Sequence, residues 1–107
     1  MKNFGVFCGG FSSEFEISIK SAETIIKNFP KEYRIFKIIV SQKGWEVETN
    51  NSTITFDLNT CSFELYGEML SLDYGIVYIH GNPGENGKIQ AYLDMKGITY
   101  LNSGVLA

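Results

Sequence analysis

The chain has 107 residues, 44% of them apolar and 20% charged, and carries a formal net charge of −3. That length supports one domain with a real core, and the composition excludes an intrinsically disordered chain. A mildly acidic sequence without a basic cluster makes nucleic acid and anionic membrane surfaces poor partners, and no apolar run is long enough to span a bilayer.

Residues 2–8 read as the first strand, apolar at Phe4, Val6 and Phe7, of the kind buried on both faces of a parallel sheet. The run stops at Gly9-Gly10, and a helical pattern starts directly after. Two adjacent glycines lack Cβ atoms, so the main chain there can take positive φ or let a ligand come close. Ser13 is the expected N-cap, and Glu16, three positions on, completes an S-x-x-E capping box. Glu14 has no such duty. At the first helical position its carboxylate either complements the helix dipole or offers a ligand group for a cation at the mouth of the turn.

The helix is expected over residues 14–28. Phe15, Ile19, Ala22, Ile26 and Phe29 form its core stripe with Ile25 beside them, and Pro30 ends it. Ile17 lies opposite that stripe at about 100° per residue. It reads either as a small apolar contact near a ligand mouth or as a residue covered by a neighbouring loop. Residues 33–40 (YRIFKIIV) are the second strand. After a turn at 42–44, residues 45–48 and 52–58 predict an antiparallel hairpin on the sheet edge, with Trp45 as a packing residue. Residues 59–72 are expected to be a short helix or an irregular connection. Cys8 and Cys61 lack metal-ligand spacing and read as reduced thiols of a cytosolic protein.

Residues 73–80 (DYGIVYIH) predict a third core strand ending at His80, which opens the loop 81–87. A lone histidine is often structural, yet the carboxyl end of a parallel strand is where open α/β sheets place ligands; both readings stand. Asn86 is the expected N-cap of the next helix, whose apolar face is Ile89, Tyr92 and Leu93, and Gly97 closes it. Residues 98–101 are a short fourth strand. The fold expected is thus α/β, Rossmann-like, a mainly parallel sheet flanked by helices with an edge β-hairpin. Residues 102–107 hold the cap and first turn of another helix, which one turn cannot sustain, so the chain reads as the front domain of something longer. Neither common phosphate-binding glycine fingerprint is present.

Two stretches resemble the D-alanine–D-alanine ligases of bacterial cell-wall synthesis. GGFSSEFEISIKSA (9–22) is similar to the family's GG-x-S-[SA]-E-x-E-V-S-x-x-S-A. HGNPGENGKIQAYLDMKGITYLNSGVLA (80–107) is similar to HG-x-x-GEDG-x-[IL]QG-x-L-E-x-x-G-I-P-Y-x-GSGVLA. The family joins two D-alanines with ATP, through an acyl-phosphate on the first that the amine of the second attacks. The resemblance implies that residues 1–107 are the substrate-binding, pre-ATP-grasp lobe of such a cytoplasmic enzyme. ATP and Mg²⁺ would then bind on central and C-terminal ATP-grasp domains outside this chain, which alone would be inactive and hold no metal. It implies that Glu14 holds the ammonium of the first D-alanine and that Ile17 takes a valine position near its methyl group. It places His80 near the carboxylate or acyl-phosphate, has Glu85 organise the same pocket, and implies pairing as a homodimer. Phe15, Asn86, Ala91, Thr99 and Asn102 depart from the family pattern as scaffold changes. The competing reading is a non-catalytic Rossmann-like module for dimerisation, or for binding a small anion or nucleotide at Gly9-Gly10. Glu14 would repel such an anion.

Overall fold

The computed structural model describes residues 2–10, 15–41, 44–49, 52–78 and 83–102, with backbone alone at 15, 83–87 and 102. In chain order the elements are β1 (Asn3–Gly9), α1 (Phe15–Asn28), β2 (Arg34–Ser41), β3 (Gly44–Glu48), β4 (Thr53–Thr55) and β5 (Ser62–Leu65). They continue as β6 (Glu68–Ser71), β7 (Tyr74–Val77), α2 (Pro83–Met95) and β8 (Thr99–Asn102). The main sheet has the order β4-β3-β2-β1-β7-β8, parallel from β2 to β8 and antiparallel through β3 and β4. The expected α/β architecture with its edge hairpin is the one observed.

Strand β1 lies at the centre because both of its faces are apolar. Val6 and Cys8 face α1, packing with Ala22, Ile19, Ile25, Ile26 and Phe29. Phe7 faces the other layer, where Ile89 and Leu93 of α2 meet Ile38, Val40 and Val77. Gly5 and Gly75 sit opposite each other across β1 and β7. A Cβ on Gly5 would come within 2.7 Å of Ile38 and 2.8 Å of Leu72, and one on Gly75 within 3.3 Å of Phe7. These two positions give up side chains so that larger neighbours can close over the sheet. Trp45 packs as expected, edge-on to Phe7 at 5.4 Å and stacked on Phe56 at 6.0 Å.

Three expectations are corrected. Residues 59–72 are neither helical nor irregular, since β5 and β6 form a two-stranded antiparallel hairpin. Its two-residue loop has Tyr66 at φ 51° and Gly67 at φ 81°, the primed-turn geometry that matches strand twist. Phe63 and Leu70 face each other in it, and both are buried in the α2-side core. Asn86 is not an N-cap, because α2 already begins at Pro83. Proline suits the first helical turn, where its missing N–H costs nothing and its φ is preset. The third core strand ends at Val77, not at His80. Its partner β1 turns away at Gly9, φ 93°, and the ladder closes with the Tyr78 N–H donating to Phe7 O at 2.8 Å. At the far end of α2, Gly97 (φ 72°) donates to Asp94 O and Ile98 to Leu93 O, the paired bonds of a glycine-terminated helix.

The outer face of α1 is tied to the hairpin through Lys37, whose Nζ lies 2.6 Å from both Glu23 and Glu48. Burial disfavours the ammonium, but the two carboxylates outweigh it and its pKa lies above the ordinary lysine value. Because both glutamates are well exposed, Lys37→Met is expected to cost only about 1 kcal/mol at neutral pH. The folded state holds this proton more tightly. The stabilisation is therefore complete below the unfolded pKa of about 10.4 and is lost as pH rises through the folded one. Urea midpoints at pH 7 and pH 11 should show the gap between wild type and variant shrinking.

Candidate functional site

From β1 the chain crosses through α1 to β2 on one side, while β7 leads through α2 to β8 on the other. The connections diverge between β1 and β7, and in an open α/β sheet the crevice at such a divergence, at the carboxyl ends of the strands, is the ligand position. Three elements meet there. Gly9 and Gly10 are buried at φ 93° and 95°, conformations that require glycine. The Gly10 N–H donates to Val40 O at 2.8 Å, continuing the ladder to β2. The Gly9 N–H turns instead to α1 and donates to Ser18 Oγ at 3.0 Å. The Ser18 hydroxyl in turn donates to the carbonyl of Tyr78, just past β7. Ser18 is fully buried.

Sequence reasoning missed Ser18. A signal was available, since it stands three residues after Phe15 and four before Ala22, which puts a hydroxyl on the buried stripe of α1. Ile17, one position earlier, is 55% exposed and lies off that stripe as expected. Glu16 is exposed in the first turn of α1. Ser13, Glu14 and His80 lie outside the described residues, as do the side chains of Glu85 and Asn86, although both belong to the backbone of α2. The chain leads toward Glu14 from Gly10 and toward His80 from Tyr78, and these two starting points are the tips of neighbouring parallel strands.

The chemistry at this end of the sheet is not that of a thiol. Cys8 lies under α1 with Sγ 3.6 Å from Ile38 O, and burial pushes its pKa up to about 12, so it carries no useful thiolate. Cys61 is also raised by burial. Nor do the two glycine amides form an anion cradle, because both already donate within the fold. Among the described residues, no group of three or more His, Cys, Asp or Glu side chains gathers as a metal site. In the same set, no helix is long and apolar enough to cross a membrane. The apolar groove along α1 and β2, lined by Ile26, Phe29, Tyr33 and Phe36, opens at the amino end of β2. Lys27, Lys31 and Arg34 also line it, and it lies away from the strand tips.

A family described as D-ala D-ala ligase N-terminus matches residues 3–103. The D-alanine–D-alanine ligase of Azobacteroides pseudotrichonymphae is 38% identical across 100% of this chain and 34% of its own length. That of Porphyromonas gingivalis is 41% identical over 92% of this chain and 30% of its own. The chain thus spans about a third of the length of the curated relatives it matches. Among solved structures, D-alanyl-alanine synthetase A from Vibrio cholerae superposes with a TM-score of 0.71 at 30% identity, over 94% of this chain and 30% of that one. By its sequence and its fold, the chain belongs to the D-alanine–D-alanine ligase family, as the N-terminal domain of such an enzyme.

Proposed function

We propose that this domain binds the first D-alanine in an ATP-dependent D-alanine–D-alanine ligase that makes peptidoglycan precursors in the bacterial cytoplasm. The observation that carries this reading is the divergence of β1 and β7. The chain enters the two motif-bearing stretches, 9–22 and 80–107, from the adjacent tips of these strands at Gly9 and Tyr78. Glu14 supplies the carboxylate for the substrate ammonium, a charge-assisted pair about twice as strong as a neutral hydrogen bond. Ile17, exposed one helical turn on, supplies an apolar wall for the methyl group. His80 and Glu85 complete the pocket around the carboxylate. Fixing the acceptor of phosphate and the attacking amine in line converts a bimolecular encounter into positioned chemistry.

In the described part of this domain the amides of Gly9 and Gly10 are already bonded, and no group of three or more His, Cys, Asp or Glu side chains gathers as a metal site, which supports placing ATP and Mg²⁺ elsewhere. On this reading both belong to the ATP-grasp domains of the same polypeptide. Those domains, D-alanine and a second copy of the protein are the partners that the proposal names. The spent glycine amides also weigh against the alternative of an anion-binding module, which needs free donors at that turn.

The full-length polypeptide carrying this domain is expected to release ADP and phosphate only when D-alanine is added. A phosphate-release assay with and without D-alanine checks this. Turnover indifferent to D-alanine, or none from a folded protein, overturns the reading.

A further inference from the structure

In a parallel ladder, one residue uses its N–H and its C=O on two residues of the neighbouring strand that lie two apart. The Tyr78 N–H donates to Phe7 O at 2.8 Å, so the next rung would run from the Gly9 N–H to the Tyr78 carbonyl. That rung is not made directly. The Ser18 hydroxyl stands in its place, accepting from the Gly9 N–H at 3.0 Å and donating to the Tyr78 carbonyl. Both backbone groups keep a partner, with the hydroxyl oxygen between them. This interrupted rung falls where the sheet's connections diverge, at Gly9 and Tyr78, from which the chain leads toward Glu14 and toward His80. Ser18 is fully buried on the core face of α1 and adjacent to Ile17.

We propose that Ser18 is a positioning residue of the first-substrate pocket, its hydroxyl replacing one rung of the β1–β7 ladder to set the width of the crevice. The inference rests on the ligase reading above and adds to it a residue that touches no substrate. A hydroxyl at this place does two things that an alkyl group cannot. It satisfies a donor and an acceptor together in a water-poor site, and it stops the two strands from zipping shut beyond Phe7. Small displacements at such a site matter, because in-line chemistry tolerates little error in the angle at which the substrate is held.

The test is steady-state kinetics on the full-length enzyme with Ser18→Ala, Ser18→Thr and Ser18→Cys. The unsubstituted enzyme is measured first; if it lacks D-alanine-dependent phosphate release, the ligase reading fails and takes this inference with it. Given that activity, Ser18→Ala should raise the KM for D-alanine at the first site about tenfold while leaving the KM for ATP unchanged. Ser18→Thr keeps the hydroxyl and should stay near wild type. A D-alanine KM unchanged in Ser18→Ala, or a loss shared equally by ATP and D-alanine, overturns the proposal. Should Ser18→Ala not fold, the Cys and Thr variants decide. The longer, weakly bonding thiol is expected to raise the D-alanine KM several-fold over Thr, and equal values overturn the proposal.

Discussion

Phe7→Ala should lower the unfolding free energy by about 3–5 kcal/mol, the range for emptying an aromatic site in a closed core. Phe7 is completely buried on the central strand, with the ring of Trp45 at 5.4 Å and that of Phe56 at 6.4 Å. Its ring also fills the space that Gly75 leaves open. The edge hairpin, the central strand and the α2 layer therefore lean on one side chain. None of them can close the hole alone, because each is pinned by its own ladder or helix. A domain of this size has about 5–15 kcal/mol in total, so the loss is a third or more of it. Urea unfolding followed by far-UV dichroism should show a lower midpoint at unchanged slope. A cost below about 1 kcal/mol would mean that the α2 layer does not pack on β1 as described.

What could be read from the residues divides along a physical line. Signals confined to one element were legible. The stripe Ile19, Ala22, Ile26 and Phe29 buries one face of α1, and the paired glycines take the positive φ that their lack of Cβ allows. Gly97 terminates α2 because a local, left-handed cap needs no knowledge of the rest of the chain. Signals that compete within one stretch were not resolved. Asn86 offers a good cap, but Pro83 also starts a helix well, and the earlier start prevails. The β5–β6 turn escaped notice because Tyr66 takes the first positive-φ position, usually filled by Asn, Asp or Gly. Its flanking Phe63 and Leu70 nevertheless alternate as strand residues do.

Ser18 shows the third case, in which the sequence carries half of the signal. The spacing puts its hydroxyl on the buried stripe of α1, but nothing in the sequence names the partners it meets there. It gains a meaning only when α1, packed on β1, brings its hydroxyl between the Gly9 N–H and the Tyr78 carbonyl, a placement fixed by topology and not by the residue itself. The same topology sets neighbouring starting points for the two family motifs, although they are separated by most of the chain.

Glu14→Gln in the full-length enzyme should raise the KM for the first D-alanine by about 10- to 100-fold, with the KM for ATP unchanged. The substitution is nearly isosteric, so it removes charge and keeps shape. A hydrogen bond to a charged group is worth about 1.5–3 kcal/mol, which converts to that range of affinity. The same variant separates the two duties that the sequence leaves open for this carboxylate. If Glu14 only complements the dipole of α1, its loss costs about 0.3–1 kcal/mol of stability and leaves the D-alanine KM where it was. If it grips an ammonium, the KM rises whether or not stability moves, and a substrate lacking the amine should lose its preference for the wild-type enzyme. A pairing of opposite charges is screened by ions, so on this reading its contribution should also fall with added salt in wild type but not in Glu14→Gln. An unchanged KM in a folded variant would return Glu14 to the helix dipole and leave the ammonium without its proposed partner.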